Sequence, residues 1–496
     1  MTERLCEANL IRLPSDVRKP SYDRAALKAG VVHIGPGAFH RAHQAPIFEN
    51  LIQLGDMRWG VVGASLRSPA AQEALVPQDG LYTLLVEEDE RRMASIIGSL
   101  LDVILAPKDP HRLIDAIASP TTHIVTITVT EKGYKLDPSS GDLIVDDPEI
   151  SAELRSLDAP ATMPGYLTAG LRLRRDRGLA PITIASCDNL IGNGEKLSRA
   201  VVQIASAHDQ RLADWIGQHC AFPNSMVDRM VPAMSEHDIT VSTARLGVLD
   251  LATVRTEPFS QWVIEQRLTG TATQLERAGV EVVSDLAPWE RAKLRLLNGA
   301  HSAMAYLGGL AGIERVDGFV REPWGRSYVS MLWDEIETSL APPPELDVPE
   351  YRNALMRRFA NRALGHRLRQ IAMDGSQKLP PRLVAPATEL IARGKKPCAI
   401  ALAIAGWMQW QSGRDDNGSA FGVDDPLSST TTRLVAASDD AAEQARALLS
   451  LGSIFPPALS NDRVFAQLVA KHLEHLKRFG ARRTTEQFIG KSVIND

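Results

Sequence analysis

The stretch from Gly30 to Ala64 constrains this 496-residue chain more than any other. Gly30-Val31-Val32-His33-Ile34-Gly35 is a β-branched run closed by glycine, the pattern of a buried strand entering a turn. Pro36 to Gln53 then carries apolar residues at Ala38, Phe39, Ala42, Ala45, Ile47, Phe48, Leu51 and Ile52, which predicts a helix. Trp59-Gly60-Val61-Val62-Gly63-Ala64 predicts a second buried strand. Strand, turn, helix and strand within about 35 residues form a βαβ unit, which calls for a parallel sheet. The linking turn reads Gly35-Pro36-Gly37-Ala38-Phe39-His40-Arg41. In a dinucleotide-binding turn the first glycine permits the tight bend. The second lets the backbone approach a pyrophosphate resting on the helix N-terminus. The third fingerprint position is His40, not glycine, so the fingerprint is incomplete. Arg41 could pair with phosphate; its bland alternative is a solvated charge at a helix end.

An Asp or Glu usually ends the second strand to hold ribose hydroxyls. Here that segment is Ala64-Ser65-Leu66-Arg67-Ser68-Pro69, with no carboxylate before Glu73. Arg67 and Ser68 would tolerate a 2′-phosphate, so the residues leave NAD and NADP both open. Further strands are predicted at Leu81 to Val86, His123 to Val129 and Ile182 to Ala185, with helices at His111 to Ala118 and Gly194 to Ala207. From about Pro288 the character changes. Ala/Leu/Arg-rich helical patterns dominate, as at Arg291 to Leu307, Arg352 to Met373 and Ser438 to Leu449, with Pro342-Pro343-Pro344 as an internal loop. The expected architecture is α/β: a Rossmann-type N-terminal domain over 1–285, then a mainly α-helical domain over 286–496.

Composition narrows the function classes. The 55 basic against 60 acidic residues give a net charge of −5, which argues against charge-driven nucleic-acid or membrane binding. Four cysteines, Cys6, Cys187, Cys220 and Cys398, form no CxxC pair, so neither a zinc site nor a disulfide scaffold is expected. The first twenty residues lack the apolar core of a signal peptide, and the run Ala399 to Trp407 is too short to span a bilayer. A cytoplasmic enzyme without a metal is the expectation. Oligomeric state is not legible here, and a monomer is compatible with everything above.

Lys293-Leu294-Arg295-Leu296-Leu297-Asn298-Gly299-Ala300-His301 opens the helical half. At about 100° per residue, Lys293, His301 and Asn298 fall near 0°, 80° and 140°, on one side of the helix, with Arg295 pointing elsewhere. A buried lysine loses several pKa units and can serve as a general base near neutrality. An Asn amide can donate to a developing oxyanion. A His can orient a hydroxyl. The bland alternative is a mixed helix with the lysine in solvent, and spacing alone does not decide between them.

Lys-x4-Asn-x2-His resembles the catalytic signature of the polyol-specific long-chain dehydrogenases, the mannitol dehydrogenase family. Other segments resemble that family in the same order. They are Val32-His33-Ile34-Gly35 through His43-Gln44, Thr128-Val129-Thr130-Glu131-Lys132-Gly133-Tyr134, Ser186-Cys187-Asp188-Asn189, Phe222-Pro223-Asn224-Ser225-Met226-Val227-Asp228-Arg229, and Glu257-Pro258-Phe259 with Gln261-Trp262-Val263. The resemblance implies an active site between the two domains and metal-free hydride transfer between a nicotinamide, NAD by preference, and a sugar carbon. It implies that Lys293 is the general acid/base, that Asn189 and Asn298 stabilise the oxyanion, and that His301 orients substrate. Glu290 matches a carboxylate that relays protons to solvent, and Asp228 a substrate-contacting position. The expected coenzyme set is Gly35, Gly37, Ala38, Phe39 and Arg41, with Arg67, Thr130 and Glu131.

Met373-Asp374-Gly375-Ser376-Gln377-Lys378-Leu379-Pro380-Pro381-Arg382 reads as a Gly/Ser/Pro-bounded turn carrying two cations, Lys378 and Arg382. Such a turn can grip a carboxylate. The longer string from Gln370 to Pro380 resembles the fructuronate reductases (D-mannonate oxidoreductases) within the family. That resemblance implies a sugar acid as substrate, D-fructuronate reduced to D-mannonate. The alternatives are a mannitol or arabinitol dehydrogenase, and a nicotinamide-binding sensor without catalysis.

Overall fold

A computed structural model describes residues 2–137 and 140–492. The chain divides into two compact units, Met1–Leu286 and Ala287–Asp496.

The first unit is built on a five-stranded sheet in which every pairing is parallel. Its strands are β1 (Ala29–Ile34), β2 (Gly60–Ser65), β3 (Leu100–Leu105), β4 (Ile124–Ile127) and β5 (Thr183–Ser186). The spatial order is β3-β2-β1-β4-β5, so the chain reverses direction of travel across the sheet between β1 and β4. Ligands of such sheets bind beyond the strand C-termini at that reversal. Both faces are covered, which is why the strands read as continuous apolar runs. Val31 packs on one side with Phe48, Leu51 and Trp59. Val32 packs on the other with Leu167, Leu171, Leu197 and Val201. The predicted strand at Leu81 to Val86 forms as Tyr82–Glu88, but in a separate three-stranded sheet with Arg91–Ile97 and Val254–Thr256. A third small sheet joins β6 (Ser225–Asp228) to Gln261–Glu265 and Glu281–Val283.

The single helix expected over Pro36 to Gln53 is two: α1 (Ala38–Ala42) and α2 (Gln44–Gln53), broken at His43 with φ −120° and ψ −75°. Pro46 is the cause. Its ring would meet the carbonyl of Ala42 in a continuous helix, and it has no N–H to give. The carbonyls orphaned by the break are taken by side chains: the Tyr82 hydroxyl donates to Arg41 O at 2.8 Å, and Arg229 Nη1 to Ala42 O at 2.5 Å.

The second unit is helical. Its centre is Cys398–Trp410, buried on nearly every side, which accounts for the unbroken apolar run in the sequence. The stretch expected as one helix from Arg291 is three segments: Ala287–Ala292, a π-helical turn over Lys293–Gly299, and Ala300–Leu310. The stretch expected as one helix over Arg352 to Met373 ends at Ala360 and resumes at Leu368–Ala372. The segment expected as a turn around Met373 to Arg382 is instead helical, Gly375–Leu379 running into a second π-helical turn, Pro380–Val384. No described helix is long and apolar enough to cross a membrane.

Candidate functional site

In the first unit the glycine turn sits at the end of β1. Gly35 has φ +93°, and a Cβ there would lie 2.1 Å from the Thr128 carbonyl oxygen, so no other residue fits. Gly37 is the opposite case. A Cβ there would meet nothing nearer than Gly35 O at 3.9 Å, so its openness leaves room for a ligand. Beneath the turn His33 is fully buried, with Nδ1 2.8 Å from Thr126 Oγ1 and Nε2 2.9 Å from Thr128 Oγ1. Burial pushes its pKa down to about 3, so it is a neutral strut between β1 and β4. The His40 ring stacks on it with centroids 3.4 Å apart. His40 at the third fingerprint position therefore packs the turn from below.

Beyond the ends of β1, β2 and β4 lies a cavity of about 300 Å³ lined by Gly35, Leu66, Arg67, Thr130, Lys132 and Met163, among others. Arg67, Thr130 and Glu131 are exposed. Ala38 and Phe39 begin α1. Arg41 does not reach outward. Its Nη1 donates to Pro36 O at 2.8 Å and its guanidinium lies 6.0 Å from the Tyr82 ring centroid, so it pins the turn from the side.

Asn189 lies exposed in the loop that follows β5. Asp228 is buried at the end of β6. The neighbouring Arg229 spends its guanidinium on the carbonyls of Glu257 and Ala42.

In the second unit Lys293 is 8% exposed, Asn298 9% and His301 7%. The π-helical turn changes their geometry from that of an α-helix. Hydrogen bonds from i to i+5 bring residues five apart into register on successive turns. Lys293 and Asn298 therefore share one face, rather than lying about 140° apart as α-helical spacing has it. Arg295 leaves that face to bond Glu389 Oε2 at 2.7 Å and Ser339 O at 3.1 Å. Asn298 Nδ2 and His301 Nε2 are buried without a hydrogen-bond partner. Unsatisfied buried polar atoms are costly and rare, and here they cluster. Burial holds His301 well below its ordinary pKa, so it is neutral. Its ring meets His366 edge-on at 5.3 Å, and His366 Nδ1 is likewise unpartnered. Sequence reasoning did not single out His366; its signal is Gly365-His366, a left-handed glycine that ends a short helical turn.

Arg382 lies on the second π-helical turn, its Nη1 3.1 Å from Ser302 Oγ and 3.5 Å from Asn298 O. Burial lowers its pKa to about 10, and no described carboxylate pairs with it. Lys378 is placed differently. Its Nζ donates to Met373 O at 2.5 Å and Ile371 O at 3.3 Å, closing its own segment. Gly375 is required because a Cβ would lie 2.5 Å from the Tyr306 hydroxyl, and Ser376 is held by Asp425 through N–H and Oγ at 2.7 and 2.6 Å. Glu290 is half-buried in the helix preceding the first π-turn. Among the described residues no group of three or more His, Cys, Asp or Glu is arranged to hold a metal ion.

Comparison with known proteins matches residues 29–277 to the mannitol dehydrogenase Rossmann domain and residues 285–477 to the mannitol dehydrogenase C-terminal domain. The chain belongs to the mannitol dehydrogenase family. It is an oxidoreductase of that family, acting on CH–OH groups. Its relatives in the family include D-mannonate oxidoreductase of Escherichia coli strain K12, 38% identical over 94% of this chain and 97% of that one. Mannitol 2-dehydrogenase of Pyrenophora tritici-repentis is 37% identical over 98% and 86%. The structure of Pseudomonas fluorescens mannitol 2-dehydrogenase in ternary complex with NAD and D-mannitol covers 98% of this chain and 100% of its own, with 35% identity and a TM-score of 0.85.

Proposed function

We propose that this protein interconverts D-fructuronate and D-mannonate with NAD(H). The observation that carries the sugar-acid reading is Arg382: a largely buried guanidinium with no carboxylate partner among the described residues, bonded beside Asn298 and Ser302. A buried cation left without an anion is costly, and a substrate carboxylate would neutralise it. Lys378, spent on its own backbone, is the weaker candidate for that role. The string from Gln370 to Pro380 supports the same substrate, and D-mannonate oxidoreductase is among the relatives.

The fit to a nicotinamide coenzyme rests on Gly35, whose positive φ shapes the turn, on the open face of Gly37, and on the cavity at the sheet's reversal point. NAD is preferred because the structural relative binds it, and Arg67 is the residue to watch for tolerance of a 2′-phosphate. When bound, the coenzyme supplies or accepts the hydride. Lys293 gives a proton to the substrate oxygen in reduction and recovers one from the hydroxyl in oxidation. The Asn189 and Asn298 amides donate to that oxygen while it carries charge. His301, neutral, orients a neighbouring hydroxyl, and Glu290 passes protons between Lys293 and solvent.

A steady-state panel tests the proposal: D-mannonate, D-mannitol and D-arabinitol oxidised with NAD and with NADP, followed at 340 nm. D-mannonate with NAD is expected to give the highest kcat/KM. Mannitol oxidised far better than D-mannonate would overturn the carboxylate reading.

A further inference from the structure

The loop carrying Asn189 is anchored by a polar web that the reaction scheme does not use. The Tyr134 hydroxyl donates to Asp188 Oδ2 at 2.7 Å and also lies against Ser186 Oγ. Asp188 O accepts from Asn193 Nδ2 at 3.0 Å and from Leu190 N at 2.9 Å. Asn193 reaches on to β6, where its Nδ2 donates to Ser225 O at 2.8 Å and its Oδ1 accepts from Ser225 N at 3.0 Å. Ser225 Oγ closes the circuit on Ser186 O. Tyr134 is buried and ends the short helical turn Glu131–Tyr134, which follows Thr130 directly. Three separate segments are thus tied together: the turn of Thr130 and Glu131 bonds Asp188 in the loop of Asn189, and that loop is joined through Ser186 and Asn193 to the strand that ends in Asp228.

The arrangement is expensive for mere scaffolding. Asp188 is half-buried, and burial raises its carboxyl pKa to about 7 even with the tyrosine bond opposing it. A surface loop of ordinary polar residues would hold its shape without that cost. An exposed amide that must meet an oxyanion within a few tenths of an ångström does need a stiff base. Asn189 itself is exposed, and the buried web reaches it through the residue before it.

We propose that Tyr134 and Asp188 form a positioning pair that holds Asn189 in its working geometry and ties it to the turn of Thr130 and Glu131. The proposal rests on the reading of Asn189 as an oxyanion donor. The test is a double-mutant cycle in kcat for sugar-acid reduction, using Tyr134→Phe and Asn189→Ala, with Asp188→Asn and Asp188→Ala beside it and NADH affinity measured by fluorescence quenching. Asn189→Ala is expected to lower kcat on the order of 100-fold. Tyr134→Phe is expected to lower it about tenfold in the natural background, with the NADH Kd changed less than about threefold. In the Asn189→Ala background Tyr134→Phe is expected to do almost nothing further, because the residue it positions is gone. Asp188→Asn, which keeps the shape and an acceptor oxygen, is expected to retain more turnover than Asp188→Ala. An equal loss from Tyr134→Phe in both backgrounds, or no loss in the natural one, would overturn the positioning pair alone. Full turnover in Asn189→Ala would overturn the oxyanion reading, and the pair with it.

Discussion

The glycine turn of the first unit and the lysine turn of the second are shaped by different means. Around Gly35 the strand and the turn backbone are braced by hydrogen bonds, His33 to Thr126 and Thr128, Arg41 to Pro36 and Tyr82 to Arg41 O, while both ring nitrogens of the stacked His40 and the side-chain amide of Gln44 are buried without a partner. Backbone shape does the work there, and side chains brace it. Around Lys293 the backbone departs from α-helical geometry, and Asn298 Nδ2, His301 Nε2 and His366 Nδ1 are left unsatisfied. The first region is held by its backbone geometry and by the side chains that brace it. In the second the unpartnered atoms lie on and beside the π-helical turn, where the substrate we propose would meet them. Substitutions in the first should therefore cost stability, and substitutions in the second should cost turnover.

The largest expected effect breaks the comparison most sharply. Lys293→Ala should lower kcat by about 10³-fold while leaving NADH affinity unchanged, measured by stopped-flow turnover and by fluorescence titration. Near-natural turnover would remove Lys293 from the chemistry. Asn298→Ala should lower kcat on the order of 100-fold. Because its Nδ2 has no partner to lose, unfolding free energy should change by less than about 0.5 kcal/mol. A large stability loss in Asn298→Ala would show that the second region is held together by the groups that here stand idle.

Gly35→Ala is the reverse case. Positive φ and a 2.1 Å approach to Thr128 O should cost roughly 3 kcal/mol or more, read as a fall in the urea midpoint. A midpoint equal to that of the natural protein would mean that the turn is not as tight as its geometry. Arg382→Ala should raise the KM for D-mannonate on the order of 10- to 100-fold, with a smaller effect on mannitol and a smaller effect again from Lys378→Ala. Equal effects of Arg382→Ala on both substrates would break the link between this guanidinium and a carboxylate.

The smallest effect concerns pH. Glu335 accepts from Ala399 N at 2.9 Å and Ile400 N at 2.8 Å, capping the central helix of the second unit, and burial pushes its pKa from 4.5 to about 7. Between those values the folded protein holds a proton that the unfolded chain has released. Its contribution to stability therefore falls as pH rises from about 4.5 to about 7 and is level above that. Glu335→Gln should flatten this slope, seen by comparing urea midpoints of the two proteins at pH 5 and pH 8. An identical slope in both would assign the pH dependence elsewhere.

Much of the first unit was legible because local pattern and tertiary environment agree there. A β-branched run between glycines has few other places to go than a sheet buried on both faces, and the motif order pointed to the family before any contact was known. The break at His43 was also legible in Pro46, which a reading of apolar spacing alone passes over. Lys293, Asn298 and His301 stood out as residues, but their geometry was not legible. Periodicity assumes 3.6 residues per turn, and nothing in Lys293 to Gly299 announces a π-helical turn. Glycine in the segment from Met373 to Arg382 suggested a loop. It is there because the Tyr306 hydroxyl and the Trp407 ring press against a helix that has no room for a Cβ.

The sequence by itself determined the parallel sheet, the glycine turn, the helical second half and the family, because each is written in short-range pattern and in motif order. Only the tertiary structure decided which polar groups are spent and which are left over. Arg41, Arg295 and Lys378 are consumed by neighbours, while Asn298, His301 and Arg382 keep donors or charge uncompensated. The physical reason is that a hydrogen bond or ion pair belongs to two residues. Where the second lies 44 or 94 positions away, as Ser339 and Glu389 do from Arg295, no local pattern records it.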